Sequence, residues 1–479
     1  MYRQAYYNED FLINYNTNND YYLDDVEDNY PDYIKREKLK LPDVRSVDVS
    51  RHFTRLSEMN YSVDLGMYPL GSCTMKFNPK YSDYIASIEE FNKHPLEGEE
   101  NTQGNLEIMY NLQEYLKTIS GMAYSSLQPS AGAHGEFTGI LIIRKYFEMK
   151  NELDRRNEII IPDSAHGTNP ASASMGGFAV IEIPSDESGL VDIDALKAAV
   201  SDHTAAFMIT NPNTLGIFDD KIKEISEIIH NNGSLLYYDG ANLNAVLGIT
   251  TPGKMGFDIV HFNLHKTFAT PHGGGGPGSG PVAVKSFLKE FLPVPIISME
   301  NGQYKLDYRL KNTVGKISSY YGSFSVLLRA YSYILKNGNN LKNSTEKAVL
   351  NANYMADKLS KYYKIPYKKL KKHEFVLSTE NTGKRALDIS KFILDYGIHS
   401  PTTYFPLIVK EAMMLEPTES VTKKDIDYYI SVMVKALSTD SDIIKKSPVN
   451  TSVTRIDEIK VARDLILTWN KNEKTLNKI

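Results

Sequence analysis

The chain has 479 residues, 42% hydrophobic and 24% charged, a composition with room for roughly two to four domains and too apolar for wholesale disorder. Lys and Arg total 54 against 59 Asp and Glu, a net charge of −5, so there is no basic footprint for nucleic acid; no apolar run reaches the roughly 18–20 residues that span a bilayer. A single cysteine, Cys73, rules out an intrachain disulfide framework, and with a first segment that lacks a charged-then-apolar leader it predicts a cytoplasmic protein.

Residues 1–75 read as an N-terminal arm, rich in Asn, Asp and Tyr, with a basic patch at Lys35–Lys40. Weak apolar periodicity predicts an extended segment with short helices, either laid on another surface or loosely ordered. Residues 76–310 read as a large domain. Short apolar runs recur at Ile159–Ile161, Ala179–Ile183, Ala205–Ile209, Leu235–Tyr238, Ile259–Phe262 and Val282–Val284, with helical patterns at Asp192–Val200 and Lys221–Asn231 between them. Buried strands alternating with helices predict a largely parallel α/β sheet, whose ligands collect beyond the carboxyl ends of the strands. Residues 311–479 read as a smaller α+β domain. Its helices are expected at Ser323–Lys336, Thr345–Tyr362, Ala386–Tyr396 and Lys423–Leu437, and a strand at Phe375–Ser378.

Four segments carry chemistry. Ser130-Ala131-Gly132-Ala133-His134-Gly135-Glu136 opens a helical run. Small residues there leave backbone N–H groups open to an anion such as phosphate, or simply start a helix whose dipole Glu136 counters. Asp239 ends a buried strand, where an acid serves as a helix cap, a metal ligand or the partner of a buried cation; Gly240 and Ala241 after it leave room for a flat ring. Lys266 lies 27 positions later, past the next strand, among apolar and small neighbours. Desolvation there favours a reactive amine, whereas a solvent-pointing lysine is the ordinary alternative. His272–Gly280 follows as a glycine-rich loop. Gly273, Gly275 and Gly278 satisfy the dinucleotide spacing, but a strand follows where that fingerprint needs a helix, so we read backbone passing close to a ligand or another chain. His261, His265 and His272 have no acid among them in sequence and share no helical face, so no metal site is expected.

A strand-end acid, a later lysine and an earlier anion cradle together describe a pyridoxal phosphate site. The residues also resemble the glycine dehydrogenase (decarboxylating) P-protein family of the glycine cleavage system. The likeness is carried by Tyr68–Lys76, Gln128–Glu136, Asp163–Pro170, Thr210–Thr214, Asn263–Gly278 and Pro401–Ser420, and spans about 65 to 440. It implies fold type I, the aspartate-aminotransferase architecture. It also implies the half-length subunit 2, which keeps the lysine and pairs with subunit 1 as a heterotetramer of two of each.

By that resemblance Lys266 is the Schiff-base lysine carrying pyridoxal 5'-phosphate and Asp239 the partner of the pyridine nitrogen. Ala131 and Gly132 hold phosphate, His134 stacks on the ring and Ala241 lies beneath it. Ser130, Asn211 and His265 are further cofactor neighbours. His166 lies near the substrate or is a buried structural histidine, and Cys73 is a small, partly buried thiol rather than a nucleophile. The implied reaction decarboxylates glycine and passes the aminomethyl group to the lipoyl arm of H-protein. The rival readings are another fold type I pyridoxal phosphate enzyme, such as a decarboxylase or lyase, and a non-catalytic structural subunit. A nucleotide-binding oxidoreductase rests only on the failed glycine fingerprint.

Overall fold

A computed structural model describes residues 2–12, 30–35, 44–94, 97–273 and 278–463. Gly274–Pro277 of the glycine-rich loop, and all of the basic patch except Lys35, lie outside the described residues. The chain forms two compact units, one of Met1–Tyr61, Lys391–Gly397 and Thr439–Ile479, the other of Ser62–Ser390 and Ile398–Ser438.

In the first unit the N-terminal segment lies on the helix Ser46–Glu58 (α1) of its own chain. Gln4 Nε2 donates to Met59 O at 2.7 Å, Tyr7 Oη to Glu58 Oε2 at 2.6 Å, and Glu9 accepts from His52 and Arg55. The tyrosine-rich start is thus tied down where it is described, through residue 12, rather than loose.

The second unit is built on a seven-stranded sheet. Its strands are β1 Tyr124–Ser126, β2 Glu158–Pro162, β3 Ala179–Ile183, β4 Thr204–Thr210, β5 Leu235–Asp239, β6 Ile259–His261 and β7 Val282–Val284, in the order β1-β7-β6-β5-β4-β2-β3. Strands β3, β2, β4, β5 and β6 run parallel, and β7 is antiparallel to both β6 and β1. The helices α2 Lys80–Ala86 and α3 Gln103–Ser120 precede the sheet. Then come α4 Gly132–Met149, α5 Thr168–Met175, α6 Ile193–Ala199, α7 Ile222–Asn231, α8 Pro252–Met255 and α9 Leu264–Thr267. The continuous apolar runs have a direct cause. Along β4 and β5, Phe207, Ile209, Leu236 and Tyr238 enter one hydrophobic cluster, while Ala206, Met208, Leu235 and Tyr237 enter another. Both faces are covered, so neither tolerates a polar residue.

After a hairpin, β8 Ile296–Glu300 with β9 Gln303–Asp307, come the helices α10 Phe324–Asn337 and α11 Leu341–Leu359. A three-stranded antiparallel sheet follows, with β10 Phe375–Ser378, β11 Thr402–Thr403 and β12 Ala412–Leu415 in the order β10-β12-β11. Lys423–Ser438 forms a further helix. Among the described residues no helix is long and apolar enough to cross a membrane.

Candidate active site

Three parallel strands end at one place. Asp239 closes β5, His261 closes β6 and Asn211 follows β4. The Asp239 side chain is fully buried and satisfied. Oδ1 accepts the Ala241 N–H at 2.9 Å and faces His261 Nε2 at 3.3 Å, while Oδ2 accepts from Asn169 Nδ2 at 2.9 Å. Burial pushes this carboxyl up, but His261, His166, the Asn169 amide and the Ala241 N–H outweigh it and hold it at about 2. Asp239 is therefore both a cap and a standing buried anion. The acid that the histidine cluster lacks in sequence is supplied by the neighbouring strand. His261 Nε2 lies between Asp239 and the Asn263 amide, 3.1 Å away, while Nδ1 is 2.8 Å from the Tyr237 hydroxyl, and burial lowers the pKa of this imidazole.

Asn169 also bridges to a second buried carboxylate, Glu136 of α4, at 3.2 Å, and Thr168 Oγ1 donates to the same group at 2.9 Å. Burial and the nearby Asp239 charge raise Glu136 to about 7. It is no surface counterweight to the helix dipole; it faces inward and shares Asp239's amide. The signal was present in sequence as an acid inside an apolar helix face, but its partner lies 33 residues on.

Lys266 sits half-buried on the short helix α9, with Nζ donating to Ser72 O at 2.7 Å. His166, buried with Nε2 unpartnered among the described residues, lies close enough to both Asp239 and Lys266 to interact electrostatically with each. Its own pKa falls to about 4, chiefly through burial. His265 is lowered to about 3 by burial and by His272, whose ring packs edge-on at 4.8 Å.

The 18-residue helix α4 starts beside this group. No side chain among the described residues caps it, and its first residues Ala131 and Gly132 are small. Backbone packing explains why. A Cβ on Gly132 would collide with Asn263 Oδ1, and one on Gly280 with Ala131 O, so glycine backbone packs directly against the Asn263 side chain before Lys266 and the end of the glycine loop against the helix-start backbone. Ser130 donates its N–H to His134 Nδ1 at 3.2 Å, which leaves the His134 proton on Nε2 and the ring neutral; burial lowers its pKa in the same direction.

One expected neighbour is turned elsewhere. The Asn211 side chain donates to Asp219 O at 3.2 Å and accepts the Asp219 N–H at 2.9 Å, spending its polar atoms on the chain's own turn. Two buried trios, Glu136–Asp239–His261 and His373–Glu374–Glu416, each bring three ligand-type atoms together; the second went unread because His373 and Glu374, just before β10, lie about 42 residues from Glu416, just after β12.

The sequence matches the family described as glycine dehydrogenase, C-terminal domain, over residues 344–457, and the class-V aminotransferase family over residues 139–399. A protein of Thermoplasma volcanium named probable glycine dehydrogenase (decarboxylating) subunit 2 is 65% identical over 472 residues, covering 98% of this chain and all of the relative. A Pyrococcus abyssi protein of the same name is 53% identical, covering 93% and 92%. This chain belongs to the glycine dehydrogenase (decarboxylating) subunit 2 family. Its architecture is fold type I of the pyridoxal phosphate enzymes. A crystal structure of glycine decarboxylase (P-protein) of the glycine cleavage system, in inhibitor-bound form, superposes with a TM-score of 0.72 at 19% identity, covering 85% of this chain and 93% of that one. Glutamate decarboxylase of Lactobacillus brevis follows the same path with a TM-score of 0.65 at 14% identity, covering 85% and 95%.

Proposed function

We propose that this chain is the lysine-bearing subunit of a pyridoxal phosphate-dependent glycine dehydrogenase, decarboxylating glycine within the glycine cleavage system. The observation that carries the reading is the buried anion Asp239 and the Lys266 amine, both within electrostatic reach of His166, beside a helix start that no side chain among the described residues caps.

The residues fit the cofactor. The open N–H groups of α4 at Ala131 and Gly132 suit its phosphate, and Lys266 would hold it covalently. Asp239 would face its pyridine nitrogen, and the neutral His134 ring would lie on its face. His166 Nε2, buried and without a hydrogen-bond partner among the described residues, is a polar atom for cofactor or substrate to satisfy. Ser130 positions His134, and Ala241 donates its N–H to Asp239; Asn211 acts by shaping the turn after β4. Bound there, pyridoxal phosphate supplies an electron sink for the pair released as glycine loses carbon dioxide. Asp239 would favour a protonated pyridine nitrogen there, because a fixed buried anion favours an adjacent cation. Lys266, with its amine free, would move protons at the substrate carbon.

Relatives named subunit 2 imply a partner subunit. We assign it as subunit 1 in a heterotetramer of two of each, with lipoylated H-protein as acceptor of the aminomethyl group and the cytoplasm as the setting. Visible absorption of the purified chain, alone and with its partner subunit, followed by borohydride reduction and peptide mapping, tests the reading. A pyridoxyl group trapped on Lys266 supports it. No chromophore in either preparation overturns it.

A further inference from the structure

That reading leaves two motifs without work, the loop Gly71–Lys76 and the segment Glu416–Ser420, and the structure joins them. Ser72 and Thr74 both adopt left-handed backbone, with φ of 65° and 38°, an unfavourable conformation for residues with side chains that persists only where surroundings impose it. The imposing groups are acids. Ser72 N–H donates to Glu374 Oε2 at 2.8 Å and Thr74 N–H to Glu416 Oε2 at 2.9 Å. Lys76 Nζ reaches Glu419 Oε1 at 2.6 Å, Asn244 Oδ1 at 2.9 Å and Thr267 O, next to Lys266, at 3.1 Å. Thr402 Oγ1 closes the clamp on Gly71 O at 2.8 Å. At the loop's apex, the Ser72 carbonyl receives Lys266 Nζ.

Holding this turn is costly. Glu374, Glu416 and His373 are almost completely buried, and neither His373 ring nitrogen nor Glu416 Oε1 has a hydrogen-bond partner among the described residues. Buried acids in so poorly satisfied a cluster weaken a fold rather than strengthen it, so their placement calls for a gain elsewhere.

We infer that Glu374 and Glu416 are positioning residues for Lys266: they clamp the Gly71–Lys76 turn so that the Ser72 carbonyl receives the lysine amine whenever that amine is not covalently engaged. The cradle keeps the freed amine aimed at the site, so that it recaptures the cofactor without a search. This rests on the proposed function, and the test separates the two.

The complex with the partner subunit is first reduced with borohydride; absence of a pyridoxyl group on Lys266 in the unaltered protein counts against the function, not against the cradle. Where trapping succeeds, the complex is charged with glycine and rapidly desalted, and the return of borohydride-trappable cofactor to Lys266 is followed over time. Glu374→Ala and Glu416→Ala should slow that return by about tenfold or more, while the rate at which glycine displaces Lys266 changes by no more than about threefold. Glu374→Gln, which keeps an acceptor for the Ser72 N–H, should restore most of the rate. If the alanine variants do not fold, Thr402→Val, which loses only the bond to Gly71 O, should still slow the return measurably. Return rates within about twofold of wild type in the folded variants, or a glutamine variant as slow as alanine, overturn the inference.

Discussion

Asp239→Asn keeps the side chain's volume and removes one charge. In the native site that carboxylate accepts from Ala241 and Asn169 at 2.9 Å each, faces His261 at 3.3 Å, and is held at about 2 against an ordinary 3.8. An opposite charge in a buried site moves a neighbour's pKa by roughly 1–3 units, about 1.4–4 kcal/mol, so an adjacent ring nitrogen loses that much support for its proton. Decarboxylation should fall by roughly 10- to 1000-fold. A second effect runs in parallel. One oxygen becomes an amide nitrogen that meets a donor, Asn169 Nδ2, or fails to accept from Ala241, costing about 1–3 kcal/mol of stability. The assay is glycine-dependent exchange of labelled bicarbonate, with partner subunit and lipoylated H-protein present, and melting followed on the same preparations. Loss of exchange with cofactor retained and a lowered Tm is the expected pair. Exchange within about threefold of wild type, with cofactor bound, would refute the electron-sink role of this residue.

Lys266→Ala should abolish exchange and borohydride trapping while leaving the protein folded, since among the described residues Nζ makes a single hydrogen bond, worth about 1 kcal/mol net; circular dichroism melting checks the second half. Gly132→Ala should weaken pyridoxal phosphate binding by about tenfold or more, because the new Cβ collides with Asn263 Oδ1 and displaces the helix start; titration by absorbance measures it. Glu136 has a carboxyl raised from 4.5 to about 7, so the folded state keeps a proton that the unfolded state has lost. Its contribution is full below about 4.5 and lost as pH rises through about 7, on the order of 3 kcal/mol. Glu136→Gln should remove that decline, and denaturant melts of both proteins between pH 5 and 8 should converge at the acid end and separate at the alkaline end.

The central strands were legible because burial on both faces leaves an unbroken apolar run; Phe375–Ser378, fully buried, and the edge strand Ala179–Ile183, legible from its apolar β-branched run although largely exposed, also match the observed bounds. Strand β1, only Tyr124–Ser126, and strand β12, Ala412–Leu415, went unread: the first is too short to show a pattern, and the second sits in a stretch already assigned to a motif. The hairpin β8–β9 was missed because its burial is irregular, with no clean alternation to read.

For the site, local chemistry in sequence was enough to single out Asp239, Lys266 and the small-residue start of α4. Each announces itself within a few residues, as an acid after a buried strand, a lysine before a glycine run and a helix opening without side chains. Which charges act together was decided only by the tertiary structure. Asn169 joins Glu136 to Asp239, His261 backs Asp239 from the next strand, and Glu374 and Glu416 reach some 300 residues back to hold Ser72 and Thr74. A one-dimensional pattern records what a residue can donate, accept or bury. The protonation state of a buried carboxylate depends instead on the few groups within hydrogen-bonding distance, and the sheet brings those together from anywhere in the chain.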